Sequence, residues 1–489
     1  MPFGIKNFFI RHKLILLLLL AVMVNELVFV MVVPLWQNYD EIEHYAYTAF
    51  LVEERRLPIA VGVHPQTDAT LTQSDEMRAA DALLENSEII EAASMRGLVQ
   101  HQDFDAGERS GQALAALAGL DRRTSLDNYQ NPTYRYPPLY YALEAIPYLL
   151  FYHADIITRS YAMRAFNIIF LLLTVFFAYQ LARRVLTSHL GALTVAALIG
   201  FMPRLAYTAS GLNNDHLLIT FGTLLVYLLV KYLSEKMQWQ QALWLGLIFA
   251  GGVLTKPQFI VFAVPLGIFY LIQCMRERNF RRCAAYALII VGVTLAIAGW
   301  WFFSDSVGQI GSSQITGLSN FDSATVSGAG AGLMITAIVL RYFYMFLTYF
   351  SAFGCCHEFA LGSLYQVLFA ISAGLGFFGL VHLVVTRRQQ PQSYMMQMLL
   401  LCIFIVALEG LLLLIFLKSL LTTGIMPGFP IDGRYLFPVI APLTILLVVG
   451  LQKLLPQKFH RALYLSLTNG IILINVCALF FYILPRYYL

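Results

Sequence analysis

Two adjacent carboxylates, Asp40 and Glu41, follow the first apolar segment in the stretch NYDEIEHYAYTAFLVEERRLP, and His44 comes four residues after Asp40. Polar residues able to do chemistry recur further on: Arg159 and Arg164 in HADIITRSYAMRAFN, Asn213, Asn214 and Asp215 in SGLNNDHLL, Lys256 in LTKPQF, and Arg434 in DGRYLFP. A carboxylate aimed at a hydroxyl can take its proton as the oxygen attacks a carbon centre. That role falls to Asp40, with Glu41 assisting. Arginine presents a planar fork to two oxygens of a phosphate, so Arg159, Arg164 and Arg434, together with Lys256, are the candidates for gripping a phosphate. A leaving group that is already a phosphate needs charge stabilisation more than protonation. His44, Tyr136, Tyr140, Asn214 and Asp215 are the candidates for binding the rest of a substrate, and Tyr39, Tyr45, Tyr47 and Tyr141 add rings that could stack on a sugar. His44 shares a helix face with Asp40, and these two would be the ligands if the site takes a divalent metal ion.

Each residue also has a structural reading. Arg159, Arg204, Lys256 and Arg341 could snorkel to lipid headgroups. The tyrosines could form an aromatic belt at a membrane edge. Asn213 to Asp215 read as a turn with a helix N-cap. Glu26 and Glu409 fall inside apolar segments, where a carboxylate is costly and must face protein; both are expected to be structural. The Gly before Arg434 is expected to permit a tight turn that aims the charge at the membrane.

The elements that position these residues follow from composition. The chain has 489 residues, 59% of them hydrophobic and 12% charged, with a mean hydropathy of +0.68. Soluble domains carry about 25% charged residues, so the chain reads as an all-α polytopic membrane protein. Its net charge of +4 is spread over short loops and forms no basic face, which gives no case for nucleic-acid binding. The six cysteines form no CxxC, and the adjacent Cys355 and Cys356 are expected to remain thiols, a vicinal disulfide being strained. The apolar segment after IKNFFIRHK is too long for a signal-peptide core and reads as a retained membrane helix.

Apolar stretches long enough to cross a bilayer occupy 14–35, 161–183, 189–208, 215–233, 240–255, 257–274, 283–303, 363–386, 395–418, 435–453 and 462–484. Two more are ambiguous: 137–152, with Glu144 and Pro147 inside, and 332–354, with Arg341 at its centre. If both lie along one membrane surface, six short basic segments, from IKNFFIRHK to LQKLLPQKFHRA, fall on the same side and hold half of the 32 Lys and Arg residues. The positive-inside rule then predicts a cytoplasmic N-terminus, eleven spans and all the candidate site residues on the extracytoplasmic face. A long first outer loop (36–135) carries a polar, Ala-rich insert at 60–125, and a second outer loop covers 304–362.

The order of these motifs resembles the GT-C superfamily of membrane glycosyltransferases, especially its protein O-mannosyltransferase and aminoarabinose-transferase branch. The likeness rests on the DE pair with a downstream His-Tyr, YPPLYY on an interfacial helix, RSYAMRAFN, the NND turn, LTKP and the late GRYLFP. It implies transfer of a sugar from a polyprenyl-phosphate donor on the outer membrane face, with inversion at the anomeric carbon. It gives Asp40 the role of base, and Arg164 or Arg159 that of donor-phosphate contact. Residues 1–303 would form the catalytic membrane module, including outer loop 36–160, followed by the loop at 304–362 and C-terminal membrane helices over 363–489. Some branches of the superfamily bind a divalent ion and others do not. The 60–125 insert has no counterpart in that pattern, and the lack of a large soluble C-terminal domain argues against an oligosaccharyltransferase. The expected setting is the cytoplasmic membrane of a prokaryote, in the service of its cell envelope. The partners would be the bilayer, the lipid-linked donor and an acceptor left open among protein, lipid and glycan. Two other functions compete: a transporter or flippase for a lipid-linked glycan, and a non-catalytic accessory subunit.

Overall fold

The computed structural model describes residues 2–58, 133, 136–186, 188–303, 331–354, 359–423 and 432–488. The 60–125 insert, the Cys355-Cys356 pair and much of the 304–362 loop lie outside the described residues. Helix α1 (Pro2–Val32) leads through a short irregular segment into α2 (Glu41–Glu53). Then come α3 (Leu139–Leu150), α4 (Ile156–Val185), α5 (His189–Gly200), α6 (Pro203–Ala209), α7 (Asp215–Tyr232) and α8 (Trp239–Thr255). A 3₁₀ turn (Pro257–Phe262) runs into α9 (Ala263–Glu277), followed by α10 (Phe280–Thr294) and α11 (Ala331–Ser351). A two-stranded ribbon of β1 (Ala352–Phe353) and β2 (Phe359–Ala360) precedes α12 (Ser363–Val385) and α13 (Gln392–Thr423). A 3₁₀ segment (Gly433–Val439), α14 (Ile440–Leu454) and α15 (His460–Ala478, continued to Tyr488 through a π turn) complete the chain.

Among the described residues ten helices are long and apolar enough to cross a membrane, or eleven if α5 and α6, bent by 55° at Phe201-Met202, count as one broken span. The break follows from the sequence: Pro203 opens α6 without needing the N–H that a continuous helix would use. Two details depart from the expected spans. The stretch at 240–255 forms a helix of 17 residues, and the ambiguous 332–354 forms α11, whose Met334–Ser351 portion is long and apolar enough to cross. Arg341 is not at a headgroup surface. It is buried in α11 and paired with Glu409 of α13, as the cost of an isolated charge in an apolar layer demands. The other ambiguous stretch gives only α3, 12 residues with Pro147 inside, too short to span. Burial pushes the pKa of the Glu144 carboxyl of α3 well above the usual carboxylate range.

One apolar core runs from Ile15 to Ile483, and a second, smaller one joins α2 to α3 and α4 through Trp36, Tyr45, Tyr148, Ile156 and Met163. The turns at one end of the bundle are tied by Tyr179 to His189 (3.1 Å), Thr194 to Thr468 (3.1 Å), Met237 to Glu277 (2.9 Å) and Lys453 to Gln390 (3.4 Å). That end carries the basic pairs Arg183-Arg184, Arg281-Arg282 and Arg387-Arg388. The opposite end carries α2, α3, α6 and the segments around Asp215, Lys256 and Arg434, and is called the site end below.

Candidate active site

The chain from Val33 to Asp40 turns the end of α1 into the start of α2, and Glu41 locks it. Its carboxylate accepts Nε of Arg164 at 2.5 Å and Nη2 at 2.7 Å, and also the backbone N–H groups of Trp36 (2.9 Å) and Leu212 (3.4 Å). The remaining donors of Arg164 go to the carbonyls of Val33 (2.6 Å), Pro34 (2.9 Å) and Val30 (3.4 Å). Both side chains are fully buried. With its fork filled, Arg164 has no donor left for a phosphate, and Glu41, wrapped by four donors, cannot act as a base. The expected roles of both residues are corrected to structural ones. Arg159 is also drawn into the packing: its Nε donates to the Tyr45 hydroxyl at 3.0 Å, its Nη1 to the Ala154 carbonyl at 2.8 Å, and it is fully buried with the Tyr148 ring 5.2 Å away. These contacts tie α4 to α2 and α3.

The remaining charges gather at the site end. Lys256, between α8 and the 3₁₀ turn, pairs with Asp215 of α7 at 2.5 Å and lies 5.0 Å from the centre of the Tyr136 ring. Burial works against the Lys256 ammonium, but the Asp215 carboxylate outweighs it and the net pKa shift is upward. Arg434 lies on the Tyr39 ring at 3.8 Å and contacts Asp432 at 3.3 Å. Asp432 is held mainly by Arg204 of α6, whose Nη2 reaches both carboxylate oxygens at 3.1 and 3.0 Å and also donates to the Tyr39 hydroxyl at 2.8 Å. Arg204 and Asp432 are therefore an unforeseen part of the site. The Arg434 side chain makes one long hydrogen bond, from Nη2 to the Tyr435 hydroxyl at 3.4 Å, and its Nη1 makes none among the described residues, so it has donors to offer a ligand. Arg434 lines a small cleft with Asn38, Tyr39, Asn213, Asp215 and His216.

His44 links this cluster to Asp40. Its ring stacks between Tyr136 (6.2 Å between centroids) and Tyr141 (5.8 Å), and its Nδ1 hydrogen-bonds the Tyr141 hydroxyl at 2.9 Å. Burial pushes the imidazole pKa down to about 3; Asp40 and Asp215 act against the shift, Lys256 and Arg434 with it. His44 is thus neutral, and four charged groups lie close enough to act on it. Asp40 itself is partly exposed, occupies the position before the first turn of α2 and makes no side-chain capping bond. Tyr136 belongs to the site through both His44 and Lys256. Tyr140 does not: it is fully buried and bonded to Asn167, so it cannot stack on a sugar. Asn214 precedes α7 without capping it and donates instead to the Thr255 carbonyl at 3.4 Å, tying the NND turn to LTKP. Asn213 makes the turn bond, accepting from the Asp215 N–H at 2.9 Å.

At the Asp40–His44 pair, Nδ1 of the ring is taken by Tyr141, and Lys256 and Arg434 act on the ring alongside Asp40 and Asp215. Among the described residues no group of three or more His, Cys, Asp or Glu is placed to hold a metal ion.

Beside the cleft lies a chamber of about 760 Å³ with an almost wholly apolar lining, bounded by α11, α12, α14 and α15. The 3₁₀ segment Gly433–Val439 contributes side chains to both cleft and chamber. A Cβ on Gly433 would stand 2.3 Å from the backbone of Tyr349, so the residue before Arg434 is a glycine because α11 passes against it, and not because a turn needs it. Tyr349 and Leu436 line the chamber, while Arg434 and Phe437 line the cleft.

A family model described as "Predicted membrane protein (DUF2142)" matches residues 24–443. No curated protein matches the chain. Among solved structures, the chain is similar to ArnT from Cupriavidus metallidurans in the apo state, with 15% identity and a TM-score of 0.39 over 72% of this chain and 63% of that one. It is also similar to an Archaeoglobus fulgidus oligosaccharyltransferase in complex with zinc and sulfate, with 12% identity and a TM-score of 0.34 over 72% of this chain and 44% of that one. The matched part is less than two thirds of the length of either structure.

Proposed function

The chain belongs to the DUF2142 family of multi-pass membrane proteins, and we propose that it is a glycosyltransferase that moves a sugar from a polyprenyl-phosphate-linked donor to an acceptor hydroxyl. One observation carries this reading: a cleft with an arginine holding unused donors shares a wall with a large apolar chamber. A phosphate head would meet Arg434 at the mouth of the cleft, and a long apolar tail suits the chamber beside it. The phosphate would sit against Arg434, where charge-assisted hydrogen bonds are strongest, with Lys256 nearby. The tail would occupy the chamber.

In the proposed reaction the acceptor oxygen forms a bond to the anomeric carbon from the face opposite the phosphate, and the carbon–phosphate oxygen bond breaks with inversion. Asp40 takes the hydroxyl proton, and the departing lipid phosphate keeps the electron pair, its charge met by Arg434. The neutral His44 ring and Tyr136 border the sugar. The basic turns at the far end of the bundle would face the cytoplasm by the positive-inside rule, which puts the N-terminus inside and the site outside, on the cell-envelope side of a prokaryotic cytoplasmic membrane.

The test is purified protein in detergent or nanodiscs with a panel of polyprenyl-phosphate sugars and water-soluble or lipid acceptors. Release of lipid phosphate is expected, and Asp40→Asn should lower it by about 10²-fold or more. No release with any donor, combined with movement of a lipid-linked glycan across liposomes, would replace the reading with a flippase.

A further inference from the structure

Among the described residues four non-glycine residues have a left-handed backbone, and two of them, Trp36 (φ 68°) and Asp40 (φ 51°), lie within five residues of each other at the site. Aspartate tolerates this conformation moderately well, but a bulky tryptophan is a poor host for it. Such a backbone persists only where the surroundings over-determine it. Here they do so almost residue by residue. Arg164 holds the carbonyls of Val33 and Pro34, Glu41 holds the N–H of Trp36, and Tyr207 donates to the Gln37 carbonyl at 3.2 Å. The Asn38 amide donates to Ser210 at 3.3 Å, and Asn213 donates to the Tyr39 carbonyl at 3.2 Å. Asp40 ends this run with its backbone bound, its carbonyl accepting from the His44 N–H at 3.0 Å.

We infer that Glu41 and Arg164 are positioning residues whose buried pair sets the left-handed path from Trp36 to Asp40 and so stands the Asp40 carboxylate beside His44. The inference rests on the glycosyltransferase reading for what Asp40 does, but not for where it is held. A pair that merely fastened α1 to α4 would have no need of the Trp36 N–H or of a left-handed Asp40. Here one carboxylate, Glu41, grips the start of the strained run from its end, and its neighbour in sequence is the acid to be placed. On a helix, adjacent residues point in different directions, so an acid pair can divide the work: one carboxylate anchors and the other reacts.

Three measurements on the full-length purified protein test this. Asp40→Gly and Asp40→Asn remove the carboxylate but suit a left-handed backbone, so both are expected to melt no lower than wild type, and Asp40→Val clearly lower. Second, carbodiimide labelling of Asp40, read by mass spectrometry on folded, monodisperse protein, is expected to change by about three-fold or more in Glu41→Gln as the carboxylate leaves its set place. Third, with a donor that wild type turns over, Glu41→Gln should lower kcat per folded molecule by about ten-fold or more, while KM for the donor stays within about two-fold. Should Glu41→Gln not fold, Arg164→Lys keeps the charge but not the fork and takes its place in both assays.

Wild-type labelling in the anchor variants, or wild-type kcat per folded molecule, would overturn the positioning role. Asp40→Gly melting below wild type would remove the strain on which it rests. Wild-type protein inert to every donor would refute the glycosyltransferase reading alone, because melting and labelling would still decide the placement of Asp40.

Discussion

Glu41 and Arg164, 123 residues apart in sequence, form a two-pronged ion pair at 2.5 and 2.7 Å with neither side chain exposed. A buried pair of this kind adds little net stability over an apolar equivalent, but removing one member strands the other charge without water. Arg164→Met should therefore cost about 3–5 kcal/mol, read as a large fall in the detergent melting temperature and in folded yield. The double variant Glu41→Met/Arg164→Met should recover much of that stability and still lack turnover. Recovered turnover in the double variant would contradict both the pairing argument and the positioning role.

Arg434 should behave in the opposite way. Its charge is shared with an Asp432 that Arg204 already holds, and its Nη1 has no partner among the described residues. Arg434→Gln should leave the melting temperature close to wild type. It should weaken binding of a polyprenyl-phosphate ligand by roughly 10- to 100-fold, the worth of one charge-assisted hydrogen bond. Arg434→Lys should recover only part of this, since an ammonium cannot span two phosphate oxygens. Equal binding by wild type and Arg434→Gln would remove the phosphate from this residue.

The contrast between these arginines marks what a single sequence can tell. That the site residues share one end of the bundle was legible, because a span count with the wrong parity would scatter the basic turns over both membrane faces. Lys256, Asp215, Arg434 and Tyr136 share that end, but nothing in their spacing pairs Lys256 with Asp215 or sets it against Tyr136. The pairing of Glu41 with Arg164 was not legible, because no local spacing reports a contact across 123 residues. Neighbours on a helix diverge, so Asp40 and Glu41 serve different ends despite their adjacency. Taken alone, Arg204 reads as one more snorkelling residue. Its signal was the Pro203 before it, which breaks a span and places the next side chain inside the bundle at the break. Asp432 stood in plain view within DGRYLFP, yet it is the depth of Arg204 that gives it a role. The glycine of that motif reads as a turn residue in sequence, because the close approach of α11 that requires it exists only once α11 is placed.

His44 makes the fold sensitive to acid. In the unfolded chain its imidazole titrates near 6.5, whereas in the folded protein burial holds the pKa at about 3. Between these values the unfolded state binds more protons, so stability is full above pH 6.5 and falls as the pH drops toward 3, by about 1.4 kcal/mol per pH unit for this one group. Melting temperature followed from pH 7.5 to 4.5 should decline for wild type and decline less steeply for His44→Gln. Parallel curves would show that His44 is not buried as the neutral ring.

Gly470 offers a test of the chamber that spares the polar site. It lies on α15, lines the chamber, and a Cβ added there would meet nothing within 4 Å. Gly470→Phe should therefore be accommodated by the empty space, and replacing a helical glycine by phenylalanine gains roughly a few tenths of a kcal/mol in helix propensity. Stability should hold or rise, so any loss of function cannot be blamed on misfolding. If the chamber takes the donor's tail, the ring will compete for its volume and raise KM for a long polyprenyl donor by about ten-fold or more, while a donor with a short chain is used as before. Gly376→Phe is the wrong control, because a Cβ there already meets Leu447 at 2.7 Å and strain would confuse the result. An unchanged KM for the long donor in a well-folded Gly470→Phe protein would move the tail out of the chamber and take away the observation on which the lipid-linked donor rests.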